Sequence, residues 1–416
     1  MRILLVTSGY PPEKLGGAGL YVHYLALELA KHHEVHVFTV SRRGTEWREN
    51  GIHYHAIPPI SSPFRALFIN KTYKNDRVEK RFLEVLEEIG PHVVHFHNLW
   101  AFRSGLLPLL ASERGYPTVQ TLHDYWFICP INIMSFRKEG PCPSPEPARC
   151  SECWNYVMAS YLSRRGIPLG VSTRILKPFN NPSRFASRNE VLLRVLSSVD
   201  VIIAPSNFLR TKFIEAGVDG EKIMHIRNGY PHSIFRGFKK RRKGNKVVFG
   251  FAGVPSYQKG VHVAVKAVKF LEGDFELRIY GGGGDPNYVS MLMKLAGEDE
   301  RVRFMGRFED IRVPYSSIDV LLFPSLCYEN SPLVLAEAAL SRTPVIASNL
   351  GAIPEFVTHG KTGFLFAPGD PRDLARWMRV FLERPELVEE FSKAQRPPED
   401  MDEHAMRLVE IYKGLL

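Results

Sequence analysis

The 416-residue sequence has no run of 18 or more apolar residues, the minimum for a helix that crosses a membrane. Its first residues, MRILLVTSGYPP, predict a short strand and carry neither the basic region nor the cleavage site of a signal peptide. These absences argue against a membrane-spanning or secreted protein. We therefore expect a cytoplasmic protein.

Motifs of other common protein classes are also missing. The dinucleotide fingerprint G-x-G-x-x-G needs its glycines directly after a strand and an acidic residue about 20 residues later. Here the glycines at 16–19 come late in a long loop, and the second predicted strand ends in Val40-Ser-Arg-Arg43, which disfavours an NAD-dependent oxidoreductase. No Asp-x-Asp pair stands at a predicted strand end to hold a metal, and no nucleic-acid-binding motif accompanies the basic residues.

The composition is that of a folded protein. Hydrophobic residues make up 44% of the sequence and charged residues 24%, and the length predicts two large domains. The formal net charge of +10 favours an anionic partner, either a phosphate-bearing substrate or an anionic membrane face, and no nucleic acid is expected. The basic run from Arg236 to Lys243 is interpreted as a solvated linker, with a membrane contact as the alternative.

Short β-rich segments alternate with helical patterns, which is typical of α/β domains with parallel sheets. Predicted strands lie at 3–6, 35–40, 92–96, 118–122, 201–204, 223–226, 247–251, 275–280, 302–304, 320–323 and 344–347. Predicted helices lie at 20–31, 260–271, 332–340, 371–382 and 402–415. We expect a Rossmann-like domain at 1–232, a basic linker at 233–246, a second Rossmann-like domain at 247–397, and a helix at 398–416 that packs back on the first domain.

Two glutamates separated by seven residues mark the most informative segment, Tyr328 to Glu337. Its Ser331-Pro332 pair predicts an N-cap and a first helical position, so the amides of the next two residues would face a ligand. A helix end of this kind binds phosphate or an oxyanion. From the residues alone, Glu329 and Glu337 either point into one pocket or are ordinary surface carboxylates.

With other segments, this motif resembles the retaining nucleotide-sugar glycosyltransferases of the GT-B fold, also called glycosyl transferases group 1 or family 4. The matching segments cover nearly the whole chain: Gly16-Gly-Ala-Gly19, Thr121-Leu-His-Asp124, Ala204-Pro-Ser206, Arg227-Asn-Gly229, Gln258-Lys-Gly260, Glu329 to Glu337, Thr343-Pro-Val-Ile-Ala347 and Gly363-Phe-Leu-Phe366. The resemblance implies an α/β fold of two facing Rossmann-like domains with a cleft between them. It also implies transfer of a sugar from a UDP-, GDP- or ADP-linked donor to a sugar or lipid-linked acceptor, with retention of anomeric configuration and with no catalytic cofactor.

The resemblance assigns catalytic roles to three residues. Lys259 would neutralise the donor diphosphate, because a leaving nucleotide diphosphate gains negative charge in the transition state. Glu329 would face the reacting sugar, and His123 would contact the donor sugar from the first domain, with a structural histidine as the alternative. Further donor contacts are expected from Gly16, Gly17, Asn330, Ser331, Leu333, Val334 and Glu337, the last on the ribose hydroxyls.

One position departs from the family's pattern. Members usually carry an arginine five positions before the lysine, where this chain has Val254. Without this arginine, the residues that bind the donor diphosphate beside Lys259 are not identified by the family's pattern. It also keeps a second interpretation open, a catalytically inactive nucleotide-sugar-binding protein of the same fold.

Four cysteines fall within 25 residues, in the spacing C-x12-C-x7-C-x2-C. Cys129, Cys142, Cys150 and Cys153 predict a tetrahedral thiolate site for a structural zinc ion, with disulfides as the alternative. Cys327 stands alone and is interpreted as a small buried residue.

The acceptor side is predicted from the segment Pro63 to Lys74, in which aromatic and basic residues alternate. Phe64, Leu67, Phe68 and Tyr73 lie among Arg65, Lys71 and Lys74. Such a mixture rests on an anionic membrane surface or packs within the first domain. The first reading, together with the family's frequent use of lipid-linked acceptors, predicts a peripheral enzyme at the inner membrane face that assembles cell-surface polysaccharide, glycolipid or glycan.

Overall fold

A computed structural model describes residues 1–10, 16–59, 67–137, 140–240 and 246–416. The chain divides into two compact units. The first comprises Met1–Pro231 together with Glu399–Leu416, and the second comprises His232–Pro398. The residues Phe64 and Arg65 of the predicted acceptor segment, and Arg241 to Lys243 of the basic run, lie outside the described ranges.

An eight-stranded sheet forms the centre of the first unit, with a two-stranded hairpin beside it. The strands are β1 (Arg2–Val6), β2 (Glu34–Val40), β3 (Glu46–Glu49), β4 (Ile52–Ile57), β5 (Val93–Phe96), β6 (Thr118–Thr121), β7 (Ser135–Phe136), β8 (Gly140–Pro141), β9 (Val201–Ala204) and β10 (Ile223–His225). The sheet order is β10-β9-β6-β5-β1-β2-β4-β3, and every pair is parallel except β3 with β4. β1 lies mid-sheet because Ile3 to Val6 form an unbroken apolar run that is fully buried, as a parallel strand covered on both faces requires.

The described residues before the second unit form the helices α1 (Gly17–Leu29), α2 (Asp76–Ile89), α3 (Leu107–Ser112), α4 (Pro147–Ser163), α5 (Leu169–Leu176), α6 (Pro182–Ser198) and α7 (Asn207–Glu215). Polar caps fix where several of them begin. The Asn181 side chain accepts a hydrogen bond from the Arg184 amide ahead of α6, and Ser206 accepts one from the Leu209 amide ahead of α7. The Ser206 of the Ala204-Pro-Ser206 segment therefore has a structural function.

The second unit is built on a six-stranded parallel sheet of order β13-β12-β11-β14-β15-β16. Its strands are β11 (Val247–Ala252), β12 (Phe275–Tyr280), β13 (Val302–Gly306), β14 (Val320–Phe323), β15 (Val345–Ser348) and β16 (Gly363–Phe366). Its helices are α8 (Val261–Val268), α9 (Pro286–Ala296), α10 (Arg312–Ser317), α11 (Leu333–Leu340), α12 (Pro371–Glu383) and α13 (Leu387–Ala394). The α/β class with parallel sheets, predicted from the alternating pattern, is confirmed in both units.

The last helix of the chain, α14 (Met401–Lys413), belongs to the first unit. Its buried residues Met401, Leu408 and Tyr412 join the same hydrophobic cluster as Leu5 of β1 and Leu25 of α1. The helix therefore completes the core on one face of the first sheet.

The structure differs from the sequence predictions at several elements. The helix after the first strand begins at Gly17, three residues earlier than predicted, so Gly16 is its N-cap and the glycines are not confined to a loop. The helices α4, α5 and α6 occupy a stretch for which no helix was predicted, because its cysteines, prolines and glycines obscure the helical periodicity. In the described ranges, no helix combines the length and apolar character needed to cross a membrane.

Candidate active site

A short 3-10 helix, Tyr257–Lys259, connects β11 to α8 and carries Lys259. Gly260 follows with a φ of +65°, and a Cβ there would lie 1.9 Å from the carbonyl oxygen of Pro324. Only glycine meets both conditions. This close approach brings Lys259 to the loop that follows β14.

Lys259 and Glu329 form an ion pair in which Nζ lies 2.6 Å from Oε1. The Ser325 hydroxyl donates to the same carboxylate oxygen at 2.7 Å and so fixes its position. The Lys259 side chain is 37% exposed and that of Glu329 13% exposed, so the pair is shielded yet reachable. Burial acts to lower the pKa of Lys259, but the charges of Glu329 and Cys327 and the hydrogen bond to Glu329 together outweigh it, and the pKa is raised above its ordinary value.

Glu337 lies on the second turn of α11 and is buried. The Tyr315 hydroxyl donates to Glu337 Oε2 at 2.8 Å and lies 3.1 Å from the Val334 carbonyl oxygen. These contacts fix the direction of the carboxylate. The surface-carboxylate reading of Glu337 is therefore wrong.

The predicted N-terminus of this helix is displaced by one residue. α11 begins at Leu333, and its N-cap is Pro332, with no side-chain hydrogen bond, so Ser331 is not the cap. Asn330 and Ser331 lie in the preceding loop, which connects Glu329 to the helix. The helix still opens with Leu333 and Val334, the residues predicted to offer their amides.

Val254 lies in a loop that two glycines hold in place. A Cβ on Gly281 would lie 1.8 Å from the Gly253 carbonyl oxygen, and one on Gly284 would lie 2.1 Å from that of Pro255. The glycines at 281–284 thus allow two loops at the carboxyl ends of β11 and β12 to pack together. The Val254 side chain itself is 55% exposed, so a larger residue would fit there.

In the first unit, the glycine pair opens helix α1. A Cβ added to Gly16 would meet no described protein atom within 4 Å, so packing within the described ranges does not require a glycine at this position. One turn into α1, the Tyr21 ring lies 5.1 Å from the ring of His123. Tyr21 thereby connects the glycine-bearing helix to the predicted catalytic histidine.

His123 follows β6 and shares a hydrogen bond of 3.1 Å between its Nε2 and Nδ1 of His97, which follows β5. Their rings stack with centroids 5.3 Å apart. His97 was not predicted as a site residue. The signal available was the alternation His95-Phe96-His97 at a strand end, which places two imidazoles on one side of the sheet edge.

Two further histidines extend this group. His95 Nδ1 lies 2.6 Å from the Tyr412 hydroxyl, and His404 Nε2 lies 2.6 Å from the Tyr21 hydroxyl. The last helix of the chain therefore contributes Tyr412 and His404 to the support of the predicted site. No local sequence pattern joins residues more than 300 positions apart, so this contact was not predictable.

Burial keeps these imidazoles neutral. Desolvation, with a smaller effect from His404, lowers the pKa of His123 to about 3, and desolvation lowers the pKa of His97 well below its ordinary value. Burial raises the pKa of the adjacent Asp124 to about 6, although the Trp126 amide and the Asn98 side chain donate to its carboxylate at 2.8 and 3.1 Å. A neutral His123 can polarise a hydroxyl but contributes no positive charge of its own.

The segment predicted to contact a membrane is only partly exposed. Leu67 and Tyr73 are buried, and Leu67 packs with Ala159, Leu162 and Leu176 of the neighbouring helices. For Leu67 the packing alternative is correct, because helices absent from the prediction cover it. Tyr73 is also buried within the first unit. Lys71 and Lys74 instead line a cavity of about 560 Å³ together with Arg77 and Arg103.

Sequence profiles of two families match the chain. The profile of Glycosyltransferase Family 4 matches residues 15–233, more than half of the chain, and that of glycosyl transferases group 1 matches residues 235–397. The chain is a group 1, family 4 glycosyltransferase. The predicted membership of glycosyl transferases group 1, family 4, is thereby confirmed.

Known proteins resemble this family 4 glycosyltransferase along its whole length. It is 26% identical over 414 residues to glycogen synthase of Mycobacterium tuberculosis, with 95% of this chain and 89% of that protein covered. Two solved structures superpose on the entire fold. HepE of Anabaena, in complex with UDP and glucose, has a TM-score of 0.68 at 18% identity with both chains fully covered, and WaaG, a glycosyltransferase of lipopolysaccharide biosynthesis, has 0.64 at 16% identity with 99% of this chain and 100% of that chain covered. The fold is therefore the GT-B fold of glycosyltransferases.

Proposed function

We propose that this glycosyltransferase moves a sugar from a nucleotide diphosphate donor to an acceptor with retention of anomeric configuration and without a catalytic metal. The contact of 2.6 Å between Lys259 and Glu329 carries the proposal. It joins a cation suited to a leaving diphosphate to a carboxylate suited to the reacting sugar. HepE, with its bound UDP and glucose, supports a nucleotide-sugar donor.

In the proposed reaction, the bond between the anomeric carbon and the diphosphate oxygen breaks while the acceptor oxygen attacks the same face of the sugar. The acceptor proton passes to the departing phosphate oxygen. Lys259 and the amides at the start of α11 stabilise the negative charge that develops there, which removes the need for a metal ion. Glu329 faces the oxocarbenium-like sugar, and the neutral His123 binds a sugar hydroxyl.

Two measurements test the reaction. A thermal-shift panel of UDP, GDP, ADP and their sugars identifies the nucleotide, because a ligand at 100 times its Kd adds about 2.7 kcal/mol of stability. The anomeric configuration of the product, read by NMR, then tests retention, and transfer in the presence of EDTA tests metal independence. Nucleotide binding without any transfer or donor hydrolysis would instead support an inactive binding protein.

Substitution of the two glutamates is predicted to have different effects, on nucleotide binding for Glu337 and on turnover for Glu329. Glu337→Ala should weaken nucleotide binding by about tenfold or more, since a hydrogen bond to a charged group contributes about 1.5–3 kcal/mol. Glu329→Ala should lower turnover and should not weaken nucleotide binding, because it leaves the Lys259 ammonium without its counter-charge. Calorimetry with the nucleotide and steady-state kinetics separate the two effects.

Glu300→Ala, a substitution of an exposed carboxylate in the same unit, is the control and should change neither quantity. Equal losses of binding and turnover in both glutamate variants would contradict the assigned roles.

We also propose that the enzyme works at an anionic membrane surface, on the cytoplasmic face, where lipid-linked acceptors for cell-surface polysaccharide or glycolipid assembly are found. The observation that supports this is an apolar stripe on and beside α5, formed by Ile167, Val171, Ile175 and Phe179. These side chains recur every four residues and are 39% to 55% exposed, whereas Leu176 of the same helix is buried. Exposed apolar side chains concentrated in this way mark an interaction surface.

Basic residues flank the apolar stripe and indicate an anionic partner. The sequence between Glu152 and Glu190 contains six basic residues and no acidic one. Arg165, Arg174 and Lys177 are exposed beside the stripe. The Phe179 ring packs 5.4 Å from that of Phe68, so the stripe continues toward the segment that carries Lys71 and Lys74. An apolar face with basic flanks fits a surface of anionic lipids.

Liposome flotation tests the membrane proposal. Wild-type protein should bind vesicles of phosphatidylcholine with anionic phosphatidylglycerol and should release them as salt rises. Val171→Ser with Ile175→Ser should weaken binding, because about 0.8 kcal/mol is lost for each methylene no longer buried. Arg174→Gln with Lys177→Gln should weaken it by about 1 kcal/mol per charge.

The matched control is Met291→Ser with Met293→Ser, which removes two exposed apolar side chains from α9 in the second unit and should leave binding unchanged. No flotation at low salt, or equal loss in the control, would contradict a membrane role for the stripe, while self-association at this face would identify a protein partner instead.

A further inference from the structure

Four thiols of the first unit line one small cavity. Cys129, Cys142, Cys150 and Cys153 are all buried, none forms a disulfide, and each contributes to the cavity wall. The cavity has a volume of about 20 Å³, and its other lining residues include Pro130, Ile131 and Trp154. Four sulfurs around one space of this size form a candidate ligand set for a metal ion.

Three separate backbone segments present these sulfurs. Cys129 follows Ile128 in a loop, Cys142 follows the β7–β8 hairpin, and Cys150 and Cys153 share one face of α4 within its first two turns. The N-terminus of a helix stabilises thiolates, which are the form of cysteine that binds metals. The ligand set therefore combines loop, hairpin and helix, and a bound ion would fasten all three.

Backbone amides already point at two of the sulfurs. The amides of Ile131 and Met134 donate to Cys129, and the amide of Arg137 donates to Cys153 Sγ at 3.1 Å. Amide donors of this kind stabilise negative charge on sulfur and are the outer contacts that orient metal ligands.

A buried cation supplies an independent observation. Arg188 of α6 is fully buried, and its Nε has no hydrogen-bond partner in the described part of the chain. Its Nη atoms donate to the backbone carbonyl oxygens of Trp126 and Phe127, and no carboxylate of the described residues forms a salt bridge with it. The groups whose charges stabilise its ionised form are, in decreasing order, Cys129, Cys150, Tyr73 and Asp124. A buried guanidinium requires an anionic partner, and neutral thiols do not provide one.

We propose that Cys129, Cys142, Cys150 and Cys153 bind one structural zinc ion as thiolates and that the resulting anionic centre is the counter-charge of Arg188. Four thiolates and one Zn²⁺ carry a net charge of −2. The zinc centre would therefore place negative charge near the Arg188 guanidinium. Binding releases the four thiol protons to solvent.

Zinc binding must shorten the distances between the four sulfur atoms. Among the described residues, Glu46, His55 and Glu88 form the one group whose ligand atoms lie within 4.8 Å of one another, and Arg81 already pairs with Glu46. The four sulfurs form no group that tight, so zinc must draw them together by side-chain rotation around the cavity. Tetrahedral Zn–S bonds of about 2.3 Å set the final distances.

The experiment measures metal content in the full-length protein. Protein purified under reducing conditions and passed over a desalting column should contain about one zinc per chain. Cys129→Ser and Cys150→Ser should lose it. Cys327→Ser is the matched control, because it removes the one buried cysteine outside the cluster, and it should retain the metal.

Measurements on the wild-type protein keep the test decisive if the serine variants do not fold. Cobalt(II) reconstitution should give the near-ultraviolet sulfur-to-cobalt band and the intense visible bands of a tetrahedral thiolate site. A thiol reagent should modify four more sulfurs after zinc removal than before it. Wild-type protein with no metal, with disulfides in the cluster, or with cobalt bound through nitrogen and oxygen ligands would overturn the proposal.

Discussion

Lys259→Ala is expected to lower turnover by about two to three orders of magnitude, the loss seen when one preorganised charge-stabilising donor is removed from an active site. The reason is specific to the leaving group. Negative charge on the diphosphate increases as the glycosidic bond breaks, so the ammonium binds the transition state more strongly than the ground state. Single-turnover kinetics at saturating donor measure the effect on chemistry apart from binding.

Lys269→Ala, a substitution of an exposed lysine at the end of α8, the helix that follows Lys259, is the control and should retain wild-type turnover. Lys259→Arg should recover only part of the activity, because the guanidinium is larger and Lys259 Nζ is already positioned 2.6 Å from Glu329. A Lys259→Ala enzyme with wild-type turnover would remove the lysine from the mechanism.

Leu408→Ala is expected to destabilise the first unit by about 2–5 kcal/mol, the range for truncating a leucine in a well-packed core. Leu408 is fully buried in the cluster that joins α14 to α1 and β1. Because the chain has two units, a single unfolding midpoint would mix their responses. Native-state hydrogen exchange resolves them: protection of β1 should fall, while protection of β11 should not.

Met406→Ala on the same helix is the matched control, since its side chain is 61% exposed and should change stability by no more than about 0.5 kcal/mol. Loss of protection in β11 equal to that in β1 would show that α14 does not act on the first unit alone.

Local chemistry in the sequence predicted most of the second unit. Three of its strands, β11, β14 and β15, are short and mainly apolar segments that have glycine or proline next to one end, which is a pattern typical of buried parallel strands. Lys259 and Glu329 were each predicted as site residues, but their contact joins positions 70 residues apart and depends on the close approach of Gly260 to the loop after β14. The partner of Glu337 was not predictable, because Tyr315 is 22 residues away on a separate helix.

In the first unit the prediction failed where contacts are distant or composition is ambiguous. The helices α4 to α6 contain glycines, prolines and cysteines that also suit a loop, and tertiary packing decides between the two. Two of these helices, α4 and α5, bury Leu67, so the exposure of that part of the predicted acceptor segment depended on elements that were not predicted. His97 was not predicted as a site residue, because only the structure shows its hydrogen bond to His123.

The first unit is discontinuous in sequence, so its last helix is synthesised only after the whole second unit. Helix α14 leaves the ribosome about 170 residues after Pro231, which at roughly 5–20 residues per second is a delay of about 10–30 s. By the end of that time the second unit, which is continuous in sequence, has been synthesised completely. The faces of α1 and β1 that receive Leu408 and Tyr412 remain uncovered until α14 follows. The nascent first unit therefore exposes an apolar face until α14 is made, and a chain truncated before residue 401 leaves that face uncovered.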